Sequence, residues 1–249
     1  MPAVAVVLAA GKGTRMKSDL PKVLVPVAGR PMITYVLDAL RAAGIQDILL
    51  VVGYRADLVR STLDDQPGLT FVDQTEQLGT GHAVMMCRAE LARRRGSMVL
   101  VVAGDSPMMQ SSSLIALQNE FRQAKPACLI GTASKDQPQG LGRIVRDSEG
   151  HFQKIVEEKD ATPEERRVTE VNMSCYLFDC DSLLAALDQI GNNNAQKEYY
   201  ITDAPGVLQQ QGRSVIALNR LQPVEALSIN TPDELQVVEK VLLAESSHS

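Results

Sequence analysis

Three short stretches of this chain carry the residue types that phosphate and metal chemistry needs. The first is Leu8-Ala9-Ala10-Gly11-Lys12-Gly13-Thr14-Arg15-Met16, continued to Pro21-Lys22. Its glycines let the backbone approach a ligand, and successive N–H groups can surround phosphate oxygens. Arg15 and Lys22 supply bidentate and point charge for the same oxygens. A nucleoside triphosphate over this loop is the sharp reading. Glycine spacing alone leaves an ordinary strand-to-helix turn with solvated cations equally open. The second stretch is Gln74-Thr75-Glu76-Gln77-Leu78-Gly79-Thr80-Gly81-His82-Ala83. Gly79 and Gly81 permit close approach, Thr80 is a good N-cap, and the Gln74 amide offers a flat base both a donor and an acceptor. A glycine loop that caps a helix, with His82 helping, competes with that reading. The third is Gly104-Asp105-Ser106-Pro107. A carboxylate at the C-terminal end of a parallel strand faces the crevice where such sheets bind ligands. Magnesium is commonly held by one or two carboxylates plus substrate phosphates, so Asp105 is the candidate metal ligand. That reading ranks above an N-cap role for Asp105 because the first loop independently points to phosphate.

Strands and helices must alternate to place these stretches together. Apolar runs at 4–7, 47–52, 69–72, 98–103 and 127–133 read as buried strands. Between them, Ile33, Val36, Leu37 and Leu40 recur at helical spacing after Pro31 and before Gly44. Further helices are expected over 56–63, 83–94 and 114–121. This order argues for a mostly parallel sheet with right-handed crossovers. Residues 140–145 and 152–156 read as a β-hairpin turning at Asp147-Ser148-Glu149-Gly150. A strand over 168–178 holds Asn172 in an apolar pattern, and a buried asparagine needs partners, from backbone or a sugar. A helix over 183–190 and one reaching Gln211, capped by Thr202 or Asp203, follow. Thr231-Pro232-Asp233-Glu234 is a helix start, with the final helix over 231–245 and a frayed tail over 245–249. Arg93-Arg94-Arg95 reads as a solvated helix end, and Glu158 with Asp160 as an exposed turn. Asn192–Asp203 is polar enough for a surface loop, yet its adjacent tyrosines argue against a plain linker.

The 249 residues, 45% of them hydrophobic, suit one α/β domain rather than a disordered chain. A net charge of -5 without a long basic run argues against nucleic-acid or membrane-surface binding. Four cysteines without C-x-x-C spacing read as buried free thiols in a reducing cytoplasm. No Ser/His/Asp or Cys/His set stands out as catalytic.

Leu8–Met16 with Pro21-Lys22 resembles the signature of the sugar-nucleotide pyrophosphorylases. Gln74–Ala83 and Asn192–Asp203 narrow the resemblance to the uridylyltransferase domain of the bacterial bifunctional N-acetylglucosamine-1-phosphate uridylyltransferases, over essentially the whole chain. The resemblance implies a Rossmann-like (GT-A-like) nucleotidyltransferase fold, with a mixed, mostly parallel sheet between helices and a small β-hairpin region over the sugar site. It implies a single domain over 1–249, with a nucleotide half at about 1–110 and a sugar half at about 111–230. Leu8, Ala10, Gly11 and Gly13 would lie against the nucleotide, Arg15 and Lys22 on its phosphates, and Gln74, Gly79 and Thr80 on uracil. Asp105 and Asn230 would hold Mg²⁺. Gly104, Gly142, Glu157, Asn172, Tyr199 and Thr202 would contact the sugar. The implied substrates are UTP and a hexosamine 1-phosphate, with Arg15, Lys22 and Asp105 as the catalytic set. The chain departs from the family at Ala103, where many members have tyrosine, and at Met173-Ser174, where the family has Thr-Gly. Both departures bear on which sugar is taken. Glucose or N-acetylmuramate 1-phosphate, or a catalytically silent nucleotide sensor, are the alternatives. The chain ends without the hexapeptide repeats of the family's acetyltransferase half, so no acetyl transfer is expected if the chain is complete, and a monomer or weak homo-oligomer is.

Overall fold

A computed structural model describes residues 1–246 apart from Lys17 and Ser228. Its elements in chain order are β1 (Ala3–Ala9), β2 (Pro26–Val27), β3 (Arg30–Pro31), α1 (Met32–Ala42), β4 (Asp47–Val52), α2 (Ala56–Thr62) and β5 (Leu69–Asp73). Next come α3 (Thr80–Met86), α4 (Arg88–Ala92), β6 (Met98–Ala103), α5 (Ser111–Ala124), β7 (Cys128–Ser134), β8 (Arg143–Arg146) and β9 (Phe152–Val156). The chain closes with β10 (Glu170–Asp179), α6 (Cys180–Leu187), α7 (Ala204–Gln210), β11 (Val215–Asn219) and α8 (Pro232–Ser246).

One sheet runs in the order β11-β7-β10-β6-β1-β4-β5. The β1–β4, β1–β6, β4–β5 and β7–β11 pairs are parallel, and β10 alone runs backwards between β6 and β7. The β8–β9 hairpin joins the sheet through β10, where Val171 pairs with Arg143. The mixed, mostly parallel sheet expected from the sequence is therefore present.

Alternation along each strand splits the apolar residues between two faces. Val4 and Val6 pack with Val84, Leu91 and Leu183 from α3, α4 and α6. Ala5 and Val7 pack with Ile33, Leu37, Val59 and Leu117 from α1, α2 and α5. A third cluster, with Met16, Val27, Met32, Ile229 and Val238, fastens α8 beneath the glycine loop.

Local signals mostly act as their chemistry demands. Gly44 closes α1 at φ +82°. Asp147 turns the hairpin by accepting the N–H groups of Glu149 and His151, each at 2.9 Å. Thr231 and Glu234 form the expected reciprocal cap of α8. Several expectations need correcting. The helix expected over 83–94 breaks at Cys87 into α3 and α4. Gly79, not Thr80, is the residue before α3, and no side chain caps that helix. Neither Thr202 nor Asp203 caps α7 through its side chain. Arg94 is not a solvated end: it is bidentate to Asp47 at 2.6 and 3.0 Å and ties α4 to β4. Glu158 is the counter-ion of Arg143, which is 1% exposed. The expected tail begins inside α8, and residues 247–249 lie outside the described residues.

Candidate active site

The C-terminal ends of β1 and β6 open onto a cleft of about 470 Å³. Leu8, Ala10, Gly11, Lys22 and Asp105 line one part of it, and Gln74, Gly79 and Thr80 an adjoining wall. Gly142, Glu157, Asn172 and Thr202 line the far part. Three stretches far apart in sequence thus meet in one cleft because β1 and β6 are neighbours and β10 lies next to β6.

The glycine loop and β6 converge on a charged knot. Lys22 donates to the Asp105 carboxylate and, at 2.8 Å, to Asn230 Oδ1. Arg15 donates to the same Asn230 oxygen at 2.9 Å. Asn230 itself does not line the cleft, and neither do Arg15 and Gly13. Gly13 has φ +66°, and a Cβ there would meet Lys22 Cβ at 2.6 Å. Its place in the loop is accordingly to let the lysine stem lie against the backbone. Gly104 also lies outside the cleft. Its N–H donates to the Leu8 carbonyl at 2.9 Å, and a Cβ would meet that same oxygen at 2.9 Å. Its smallness lets β1 and β6 close on each other.

On the adjoining wall Gln74 is 4% exposed. Its amide nitrogen donates to the Gly79 carbonyl at 3.0 Å and sits 3.1 Å from His82 Nδ1. His82 therefore braces Gln74 instead of capping α3. Thr80 Oγ1 accepts the Ile201 N–H at 3.1 Å. Gly79 stands at φ +107°, and a Cβ would meet the Tyr199 carbonyl oxygen at 2.5 Å. The glycines of this loop are thus used against the chain's own 192–200 segment. That segment is held by Gly81 N–H donating to Tyr199 O at 2.7 Å and Tyr199 N–H donating to Leu78 O at 2.8 Å.

The far end is built by the hairpin and β10. Asn172 N–H donates to the Gly142 carbonyl at 2.9 Å. Asn172 Oδ1 accepts the Ser174 N–H at 3.2 Å where the β7–β10 register shifts. Burial pushes the Glu157 carboxyl above its ordinary range, against a hydrogen bond from Thr202 that lowers it. Asp160 and Asp203 raise it further. Asp203 is raised as well, chiefly by burial and then by Asp160. A neutral polyol that donates hydroxyl protons suits such a wall, and an anion does not.

Tyr199 does not line the cleft, whereas Tyr200 does, with Gln196 and Glu198. The backbone is extended at Tyr200, with φ -94° and ψ 131°, which turns neighbouring side chains to opposite faces there. Ser174, with φ +49°, and Tyr176 also line the cleft, across the register shift that follows Asn172. No local pattern in the sequence singles out Tyr176 or Tyr200 as cleft residues.

A family model described as the MobA-like NTP transferase domain matches residues 5–197. The chain belongs to the MobA-like NTP transferase family. Among curated relatives of this NTP transferase, the bifunctional protein GlmU of Streptococcus agalactiae is 46% identical over 238 residues, covering 96% of this chain and 51% of that protein. The bifunctional protein GlmU of Pelotomaculum thermopropionicum is 44% identical over 243 residues, covering 97% and 52%. The chain spans about half the length of the curated relatives it matches. A UDP-glucose pyrophosphorylase solved with UDP-glucose matches with a TM-score of 0.78 at 16% identity, covering 98% of this chain and all of that one. That likeness shows a shared nucleotidyltransferase fold. No helix among the described residues is long and apolar enough to cross a membrane.

Proposed function

We propose that this NTP transferase moves UMP from UTP to N-acetylglucosamine 1-phosphate, giving UDP-N-acetylglucosamine and pyrophosphate. The observation that carries the reading is one cleft lined by two chemically distinct sets of residues. Lys22 and Asp105 form one set, and Glu157, Asn172 and Thr202 the other. Relatives named for a bifunctional GlmU support it over nearly the whole chain. Residues 1–249 then act as one nucleotidyltransferase unit, with the nucleotide held by about 1–110 and the sugar by about 111–230. The four cysteines are free and buried, which suits a reducing cytoplasm.

The residues present fit a magnesium ion. Asp105 and Asn230 aim a carboxylate and an amide oxygen at one point, now met by the Lys22 ammonium. Both are hard oxygen donors, and substrate phosphates would complete the coordination. When bound, Mg²⁺ supplies charge neutralisation at the phosphates. In the proposed reaction a phosphate oxygen of the sugar 1-phosphate attacks the α-phosphorus of UTP in line. The new P–O bond forms as the bond to the β-phosphate oxygen breaks, and pyrophosphate leaves with that electron pair. The attacking oxygen is already anionic, so no general base is required. Lys22 and Arg15 hold the phosphates and stabilise charge on the leaving group. Gln74, Gly79 and Thr80 bind uracil, and Gly142, Glu157, Asn172 and Thr202 bind the sugar.

The test is pyrophosphate release over a panel of nucleoside triphosphates and sugar 1-phosphates. Release with UTP and N-acetylglucosamine 1-phosphate well above the rest is expected. A clear preference for the glucose or N-acetylmuramate compound would replace the sugar assignment. Nucleotide binding without any release would replace the catalytic reading with a sensor.

A further inference from the structure

Tyr176 on β10 is fully buried at 0% exposure, yet it borders the sugar end of the cleft beside Asn172 and Glu157. Its ring stacks on Phe178 with centroids 6.0 Å apart, so its position is set by the core. Its hydroxyl has no hydrogen-bond partner among the described residues. The Asn172 side chain faces it as a donor, lowering the phenol's pKa against the larger effect of burial. The oxygen of that side chain is turned to the Ser174 N–H at 3.2 Å. A buried hydroxyl without a partner destabilises a fold, and one retained in a core needs a reason. Burial also pushes the phenol far above its usual range, so it stays a neutral hydroxyl. Solvent does not reach the hydroxyl.

We infer that Tyr176 is a positioning residue that orients the Asn172 carboxamide toward the sugar. An amide oxygen has two lone pairs, and Ser174 N–H occupies only one. Once a sugar 1-phosphate orders Asn172, its N–H₂ group donates to the Tyr176 hydroxyl oxygen. The N–H₂ group is then held toward the protein and the free lone pair of the Asn172 oxygen toward the ligand. The site thereby selects a sugar that presents a donor at that point, a hydroxyl or the N–H of an acylated amino group. This inference rests on the proposed sugar site at Glu157 and Asn172.

The test compares the wild-type chain with Tyr176→Phe, Asn172→Ala and the double variant. Calorimetry with UDP and with UDP-N-acetylglucosamine gives the affinity added by the sugar, and steady-state kinetics gives each KM. Tyr176→Phe should raise KM for the sugar 1-phosphate about 5- to 10-fold, the worth of one neutral hydrogen bond. KM for UTP should stay within about twofold, and Tm should hold or rise because an unpaired buried hydroxyl is removed. In the Asn172→Ala background Tyr176→Phe should add nothing further. An unchanged sugar KM, or equal rises for sugar and UTP, overturns the inference. So does an undiminished penalty without Asn172, which would put the hydroxyl directly on the ligand. Wild-type protein that binds UDP-N-acetylglucosamine no more tightly than UDP would instead sink the sugar assignment of the proposed function, and this inference with it.

Discussion

Asp105 and Asn230 share one cation in this structure, and that cation is Lys22. In the proposed reaction the same oxygens face a metal and the lysine is freed for phosphate. Asp105→Asn keeps the shape and removes the charge. It should lower kcat roughly 10²–10³-fold while Tm changes little, as for loss of a preorganised electrostatic contact. Near-normal turnover at limiting Mg²⁺ would remove Asp105 from the metal site. Glu157 offers a pH test. Its folded pKa is raised by burial above the ordinary 4.5, so the folded state holds its proton more tightly than the unfolded chain. The stability this contributes is complete below pH 4.5 and is lost as pH rises through the folded value. Wild-type protein should therefore lose stability relative to Glu157→Gln as denaturation is measured from pH 4 upward. A parallel pair of curves would show that Glu157 titrates normally. Asp105 and Glu157 stood out in the sequence as charge just past the apolar runs of β6 and β9, and Lys22 as a cation after the glycine loop, all of them local features. Tyr176 and Glu158 did not, because a buried orphan hydroxyl and the counter-ion of a buried arginine are defined by what folds around them.

The loop between β5 and α3 shows how an element constrains its own residues. Gly79 has to accept φ +107° and the Tyr199 carbonyl at the place where a Cβ would stand. Gly79→Ala should cost about 1–3 kcal/mol, through backbone strain and displacement of the 192–200 segment. A fall in Tm together with weaker UTP binding is the expected result. Gly11 has open space around its Cβ position, so Gly11→Ala should leave stability within about 0.5 kcal/mol and act on nucleotide affinity alone. Equal destabilisation by the two variants would contradict this account of the loop. The sequence marked both glycines as sites of close approach. It could not show that Gly79 and Gly81 meet the protein's own backbone, since Tyr199 is more than a hundred residues away.

Across the whole molecule the cleft joins β1, β6 and β10 with the hairpin and the 192–202 segment, and α8 is fastened beneath it by its own apolar cluster. A ligand that spans this cleft binds only the folded chain. UTP with Mg²⁺ at 100 times Kd should then stabilise by about 2.7 kcal/mol. For a chain of this size that corresponds to a rise in Tm of roughly 5–10 °C. A thermal-shift series over UTP concentration measures it, and no shift at millimolar UTP would argue against the nucleotide site.

The sequence by itself determined the alternating β/α order, the phosphate-type loop, the acidic strand end and the family resemblance, because each depends on residues close together in the chain. Helix caps at Thr231 and turn residues at Asp147 belong to the same class. Tertiary structure alone decided which residues share the cleft. It placed Tyr200 there and turned Tyr199 away. It made Gly104 and Gly13 packing positions, gave Gln74 to His82 and Gly79, and brought Asn230 onto Lys22 across the fold. Those assignments depend on strand order, on the reversed β10 and on the path of the 192–202 segment, none of which a local pattern encodes.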